Sequence, residues 1–286
     1  MNYDISFTKY HGCGNDFILK DEMTGRKTAD GVRGRIAKVL CDRHFSVGAD
    51  GVIFIESAKG SDGSMRLFEP AGNEADMCGN GLRCVAAFLM KRLGRSEVKV
   101  LTRDGIKHVK RVGSQYRVDM GPVRTDRQYL REYVVDTRTT AADMMDVLIP
   151  VHEREFKCSI VNTGEPHIVV RTKDLDAEDV RRIGAIVNSD RKRFPKGVNI
   201  NFVETVGPSE VKIRTYERGV YDETLACGTG ATASAAVALL QGWVRTRRVK
   251  VNAVGGCLTI ELSKDGRAYM TGPAEPVFEG RARIEA

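Results

Sequence analysis

The sequence predicts an α+β protein built as two pseudo-symmetric domains, each a strand-rich sheet curled about one buried helix. Three observations carry this. Cys-Gly-x-Gly occurs twice, as MCGNGLRC (77–84) and ACGTGA (226–231), each time opening an apolar helix-like run. Other landmarks repeat around those two sites in the same order. Most remaining segments are short, β-branched and bounded by turn residues, which reads as strands.

The repeat is specific. Glu56 of FIE lies 22 residues before Cys78, and Glu204 of FVE lies 23 before Cys227. Glu69 of RLFEP lies nine before Cys78, and Glu217 of RTYER ten before Cys227. VKV starts 20 residues after Cys78 and 22 after Cys227, and the glycines of MGP and MTGP follow at 43 and 45. Upstream, GNDFI starts 64 before Cys78 and GEPHI 63 before Cys227. Six matches in one order, drifting by one or two residues, indicate a duplication. The boundary is expected near 121–155. The expected domains are 1–125, with 275–286 packing back onto it, and 126–274.

The elements follow in turn. Strands are expected in VGADGVIFIES, SMRLFEP, SEVKVLTR and YRVDMGPV, then in REFKCSIVN, HIVVRT, VNINFVET, EVKIRTYE, RRVKVNAV, CLTIELS and RAYMTGP. Asp265-Gly266 between the last two is a hairpin signal. Residues 31–44 have helical spacing at Ile36, Val39 and Leu40. Residues 175–189 form a second helix, with Asp176 expected near its cap. Two more helices, 79–94 and 228–243, follow the cysteines. The last is alanine-rich on nearly every side, and such a helix must be enclosed.

Composition narrows the classes. The chain has 286 residues, 42% hydrophobic and 29% charged, an ordinary globular balance. The net charge is +7, from 45 basic and 38 acidic residues. The basic clusters RTRRVK (245–250) and DRKRFPK (190–196) are short and read as solvated surface, so no nucleic-acid partner is expected. No apolar run approaches the roughly 20 residues needed to span a bilayer, and MNYDISFTKYHG does not resemble a signal peptide. A cytoplasmic protein without membrane contact is expected. Seven cysteines, an odd count with no C-x-x-C pair, argue against a disulfide framework or structural zinc. Cys84 and Cys13 read as packing residues, and His11 and His44 as structural.

The chemistry follows from the helix starts. Backbone N–H groups there lack intrahelical partners and carry partial positive charge. Glycines let a ligand approach them. Cys-Gly-x-Gly at a helix start is therefore an anion site with a thiol beside it, where a lowered thiol pKa is expected. Two such sites related by pseudo-twofold symmetry are expected to face one another across a cleft, with a carboxylate between the helix starts. That suits inversion at an amino-acid α-carbon, which needs a base on one face and an acid on the other.

The motifs HGCGNDFI (11–18), RHFSVGADG (43–51), EADMCGNGLRC (74–84), GEPH (164–167), GVNINFVE (197–204) and YERGVYDETLACGTGA (216–231) resemble those of the diaminopimelate epimerases, the pyridoxal-independent amino-acid epimerases. The resemblance covers essentially the whole chain. It implies two pseudo-symmetric domains, each a barrel-like sheet around a central helix. It also implies a homodimer, a small-molecule amino-acid substrate, and a mechanism needing neither metal nor cofactor. By position it implies Cys78 and Cys227 as the acid/base pair, and Gly79, Asn80, Gly228 and Thr229 as donors to the reacting carboxylate. Asn15, Asn199, Glu217 and Arg218 match substrate-binding positions. His167 and Glu217 match groups close to the cysteines.

The chain departs from the family pattern in four places. Glu69 and Glu165 stand where the family has asparagines that contact the far end of diaminopimelate. Ala71-Gly72-Asn73 replaces Asp-Gly-Ser, and the segment from Arg218 to Cys227 is one residue longer than in many members. Two glutamates would repel a distal carboxylate and attract a lone cation. Besides diaminopimelate, this opens racemisation of lysine, ornithine, arginine or histidine. If instead a glutamate pairs with Arg218 or another basic residue, diaminopimelate still binds. The rivals are a relative of the proline racemase or phenazine isomerase type, and a catalytically silent anion-binding module.

Overall fold

The computed structural model describes residues 2–25, 27–135, 142–151 and 154–285. The expected boundary zone at 121–155 includes 136–141 and 152–153, which lie outside the described residues, as do the end positions 1 and 286. The chain packs as two compact units, Met1–Val118 with Thr271–Ala286, and Asp119–Met270.

The first stretch of chain forms β1 (Asn2–Gly12), β2 (Asn15–Glu22), α1 (Asp30–Leu40), β3 (Gly51–Glu56), β4 (Gly63–Phe68), β5 (Glu74–Ala75), α2 (Gly79–Leu93), β6 (Glu97–Thr102), β7 (Gly105–Val112) and β8 (Gln115–Pro122). The second forms α3 (Arg127–Leu130), β9 (Val147–Val151), β10 (Arg154–Asn162), β11 (Pro166–Thr172), α4 (Val180–Ser189), β12 (Asn199–Gly207), β13 (Glu210–Glu217), β14 (Asp222–Thr224), α5 (Gly228–Leu240), β15 (Arg248–Ala253), β16 (Gly256–Leu262) and β17 (Arg267–Gly272). The chain then returns to the first unit as β18 (Glu275–Glu285).

The two units share one pairing scheme, and the class is α+β with the sheet dominant. In the first, β1 pairs antiparallel with β18 and β2, β2 runs parallel to β3, β3 antiparallel to β4, and β4 parallel to β6, which continues antiparallel through β7 to β8. In the second, β10 pairs antiparallel with β9 and β11, β11 runs parallel to β12, β12 antiparallel to β13, and β13 parallel to β15, which pairs antiparallel with β16. Each parallel pair is bridged by a helix. α1 joins β2 to β3 and α4 joins β11 to β12, while α2 and α5 join the later pairs.

Each sheet therefore has a helix on both faces, and its strands read accordingly. β3 is GVIFIE, with its first five residues buried. Val52 and Phe54 pack with Ile36, Ala37 and Leu40 of α1. The alternate residue Ile53 turns to the other face, where it meets Gly81 of α2. A strand covered on both sides needs apolar residues throughout, not alternation. β12 has the same alternation. Ile200 and Phe202 join Val180, Ile183 and Val187 of α4 in one core, and Asn201 lies on the other face, against Gly230 of α5.

α5 is the helix that the alanine run predicts. Residues Gly228–Ala238 are buried without interruption, and strands β10–β13, β15 and β16 pack around them. Small side chains on every face let strands close in. α2 occupies the same place in the first unit, against β1, β2, β4 and β6, and stops at Gly94 in the left-handed conformation that favours glycine. No helix among the described residues is long and apolar enough to cross a membrane.

Two expectations need correction. Helix α4 begins at Val180, not near Asp176, and its N-cap is Asp179, whose carboxylate accepts from the Arg182 N–H at 3.2 Å. Asp174 instead accepts from the N–H groups of Asp176 and Ala177, which holds that stretch in a turn. Asp265-Gly266 is not a two-residue turn. The connection spans Ser263–Gly266, Gly266 alone takes a positive φ (83°), and the Ser263 N–H donates to Arg267 O at 2.9 Å. The strands β1, β2, β5, β7, β9, β14 and β18 were not anticipated. β7 and β18 carry many charged residues, which masks the period-2 pattern, whereas β1 alternates openly at Tyr3, Ile5 and Phe7.

Helix α4 approaches β13 closely at Gly184, where a Cβ would stand 2.2 Å from Tyr216 Cγ. Tyr216 is core and cannot swing away. Gly184→Ala is expected to cost about 1–3 kcal/mol, read as a lowered urea midpoint at unchanged slope. An unshifted midpoint would contradict this packing.

Candidate active site

The two cysteines are the N-cap residues of α2 and α5, and both have extended backbone there. In each unit a bidentate Arg–Glu pair braces the hairpin leading into the cysteine. Arg66 donates to Glu74 through Nε (2.7 Å) and Nη2 (2.9 Å). Arg214 donates to Glu223 through Nε (2.6 Å) and Nη2 (2.8 Å). Glu74 and Glu223 each lie four residues before the cysteine. Arg66 holds the Glu74 carboxyl below its usual range, against a smaller opposing effect of burial. Paired, planar contacts of this kind fix orientation as well as distance. Sequence reading overlooked this brace, although Arg66 and Arg214 stand at matching places in RLFEP and RTYER.

In the first unit the structure gathers Asn15, Cys78 and Asn80. The Cys78 thiol lies 3.6 Å from Asn15 Oδ1, which also accepts from Asn80 Nδ2 at 3.1 Å. Asn15 Nδ2 donates to Asp50 at 2.7 Å, and Arg43 bridges Asp50 and Asp16 at 2.6 and 2.7 Å. Arg83, fully buried on the first turns of α2, donates to Asn80 Oδ1 at 2.9 Å and to Pro273 O at 3.0 Å. The result is a directed chain from Arg83 through Asn80 and Asn15 to Asp50. Asp50 and Arg43 fall within RHFSVGADG but were not singled out. Gly79 is buried at the start of α2. Glu69 directly follows β4, and its backbone closes the turn with Gly72 (2.8 Å) and Asn73 (2.9 Å). Cys84 and Cys13 are buried, as expected of packing residues.

In the second unit the structure gathers Glu165, His167, Asn199, Glu217, Arg218, Cys227, Gly228 and Thr229. The Cys227 sulfur accepts from the Gly230 N–H at 3.3 Å and lies 3.3 Å from Thr229 Oγ1. Thr163 Oγ1 holds the Thr229 carbonyl at 2.9 Å. Burial and then the Glu217 carboxylate push the Cys227 thiol well above its usual range, outweighing the bonds from Thr229 and Gly230. The lowered pKa expected at a helix start is therefore reversed at Cys227, because desolvation of the thiolate dominates. Thr224 donates to Glu217.

Arg218 is spoken for. Its Nε donates to Glu165 Oε2 at 2.6 Å, its Nη1 to Lys196 O at 3.0 Å, and its backbone N–H to Asn199 Oδ1 at 2.9 Å. Asn199 Nδ2 donates to Pro166 O at 3.1 Å. In the β13–β14 turn between Arg218 and Cys227, Tyr221 adopts φ 58° and its N–H donates to Glu217 O at 2.8 Å. His167 is fully buried behind this group. Burial, then the Arg218 charge, lower its pKa to about 3. Among the described residues no grouping of three or more His, Cys, Asp or Glu could hold a metal ion.

A sequence profile described as diaminopimelate epimerase matches residues 7–125 and again 159–277. The chain belongs to that family. It is 38% identical over 284 residues to a diaminopimelate epimerase of Methanocella arvoryzae, covering 98% of both chains. It is 39% identical over 286 residues to that of a Synechocystis strain, covering 98% of this chain and 99% of the relative. Among solved structures it is similar to a phenazine biosynthesis protein from Bacillus anthracis (TM-score 0.70, 17% identity, 99% and 100% of the two chains). It is likewise similar to a hydroxyproline epimerase from Agrobacterium vitis (TM-score 0.67, 15% identity, 99% and 92%). Those two likenesses concern the fold alone.

His167 generates a pH test. Its folded pKa, about 3, lies below the ordinary value of 6.5, so the unfolded chain binds the proton more readily. The stability it contributes is complete above pH 6.5 and is lost as pH falls toward 3. The slope from this residue approaches about 1.4 kcal/mol per pH unit. Urea unfolding at pH 7.5, 5.5 and 4.5 should show a steeper acid loss for the native chain than for His167→Gln. Equal slopes would contradict the buried, neutral imidazole.

Proposed function

We propose that this chain is a cofactor-independent epimerase that interconverts LL- and meso-diaminopimelate by a two-base thiol mechanism. The carrying observation is that each unit presents a cysteine as the N-cap of an enclosed helix followed by Gly-x-Gly. In this reading Cys78 and Cys227 act on opposite faces of the α-carbon. One enters as thiolate and takes the α-proton, and the other enters as thiol and returns a proton to the far face. Their protonation states are exchanged at the end, which suits a reaction run in both directions. The raised pKa of Cys227 supports its being protonated, and so a donor, when the protein is unliganded.

The backbone N–H groups of Gly79, Asn80, Gly228 and Thr229 are the proposed donors to the reacting carboxylate. Preorganised donors of this kind stabilise charge that spreads from the α-carbon onto the carboxylate. Asn15, Asn199, Glu217 and Arg218 are proposed to orient the substrate, and Glu69 to meet its distal end.

The Glu165–Arg218 pair bears on substrate choice. Glu165 is neutralised by a guanidinium held to it at 2.6 Å, so it does not present a lone negative charge to a distal carboxylate. This removes half of the argument for a purely cationic substrate. The relatives named diaminopimelate epimerase, 38–39% identical over nearly the full chain, support the same choice. The family resemblance further supports a homodimer.

Purified protein should convert LL-diaminopimelate to the meso isomer and leave L-lysine, L-ornithine, L-arginine and L-histidine unchanged. Racemisation of a basic amino acid without action on diaminopimelate would overturn the substrate. Cys78→Ser and Cys227→Ser should each lower kcat on the order of 10²–10⁴-fold, since a serine hydroxyl is a poor base. Full activity in either variant would overturn the two-thiol scheme. Oxidant should inactivate the enzyme, and reductant should restore it.

A further inference from the structure

Asn15 and Glu165 occupy equivalent places in the two units. Phe17 pairs with Gly51 and His167 with Asn199, and Asn15 and Glu165 each lie two positions before those residues. Their side chains take different partners. Asn15 Oδ1 lies beside Cys78 and accepts from Asn80. Glu165 instead reaches Arg218, which directly follows Glu217, the carboxylate against Cys227. The direction Glu165 takes thus belongs to its side chain and not to the strand start that carries it.

A guanidinium offers a carboxylate two edges, Nε with Nη2 and Nη1 with Nη2. In Arg218 the first edge is filled. Glu165 Oε2 lies 2.6 Å from Nε and also contacts Nη2. On the second edge Nη1 donates to Lys196 O at 3.0 Å. Neither edge can take a further carboxylate side-on while Glu165 stays. The Arg218 and Glu165 side chains are 26% and 38% exposed, so solvent reaches the pair. An ion pair at that exposure adds little net stability, and Glu165 can turn out into water at small cost.

From this geometry we infer that Glu165 is an internal stand-in for the second carboxylate of the substrate, occupying the fork of Arg218 and yielding it when diaminopimelate binds. The inference rests on the epimerase reading for the identity of the ligand. Exchanging one carboxylate for another keeps the guanidinium paired throughout. A ligand without a second carboxylate cannot make the exchange, so the fork stays closed against lysine. The contact lowers the apparent affinity by the fraction of molecules in which the fork is open. Glu165 therefore acts on binding, away from the carbon that is inverted.

The test compares the full native protein with Glu165→Gln, which keeps the size of the side chain and removes its charge. Calorimetric titration with an equilibrated mixture of LL- and meso-diaminopimelate gives Kd without net reaction. Kd should fall about three- to tenfold in the variant, kcat/KM for LL-diaminopimelate should rise with it, and L-lysine should gain nothing. An unchanged or raised Kd for diaminopimelate, or an equal gain for L-lysine, would overturn the inference. A crystal structure of the native protein with diaminopimelate bound decides without a variant. A ligand carboxylate on Nε and Nη2 of Arg218, with Glu165 turned away, supports the exchange, and Glu165 still on Arg218 overturns it. Tighter binding in Glu165→Gln with no turnover by the native protein would leave the exchange standing and refute the epimerase reading alone.

Discussion

The structure depends on one constraint, that two helix N-termini be enclosed by sheet and still carry a cysteine as N-cap. The first N–H groups of a helix have no partner within it. In α2 and α5 those groups begin at a buried Gly79 and a buried Gly228. The α5 helix is thin enough to be wrapped through its alanines, and α2 admits Phe17 and Ile53 closely at Gly81. The parallel pairs β4–β6 and β13–β15 follow from this, because each such pair needs a crossover, and the enclosed helix supplies it. The Arg66–Glu74 and Arg214–Glu223 braces then fix the hairpins that lead into the caps.

Symmetry of the fold does not extend to the electrostatics. Behind Cys78 stands a buried guanidinium, Arg83, tied to backbone and amide oxygens. The matching place five residues after Cys227 is Thr232, whose hydroxyl bonds back to Gly228 O. Cys227 instead is buried beside the Glu217 carboxylate, and burial first, then that charge, raise its thiol pKa. A duplicated frame has thus been given opposite charges behind its two cysteines. In the two-base reaction proposed above that difference is useful, since one thiol would enter protonated and the other not.

Much of this is legible in the sequence because it is written twice. The paired Cys-Gly-x-Gly sites, the all-apolar β3 and the alanine-rich α5 each follow from local pattern. The pairing of β1 with β18 does not. It joins segments more than 260 residues apart in sequence, which no local pattern records. Asp176 was misread because three acidic residues, Asp176, Glu178 and Asp179, precede the helix, and the one that caps is decided by the turn at Asp174. The buried Asn201 was invisible alone, since its contacts with Ile168, His167 and Thr215 form only in the fold. Glu165 looked like a specificity switch until Arg218 was found against it.

The most direct test of the account is initial-rate epimerisation of LL-diaminopimelate in deuterium oxide, with the isotope at the inverted carbon read separately in product and recovered substrate. Two thiols on opposite faces predict deuterium in the product and almost none in the substrate left behind. Deuterium entering both from the start would indicate a single base serving both faces. Absence from both would contradict delivery of the new proton by a second, solvent-exchanged thiol.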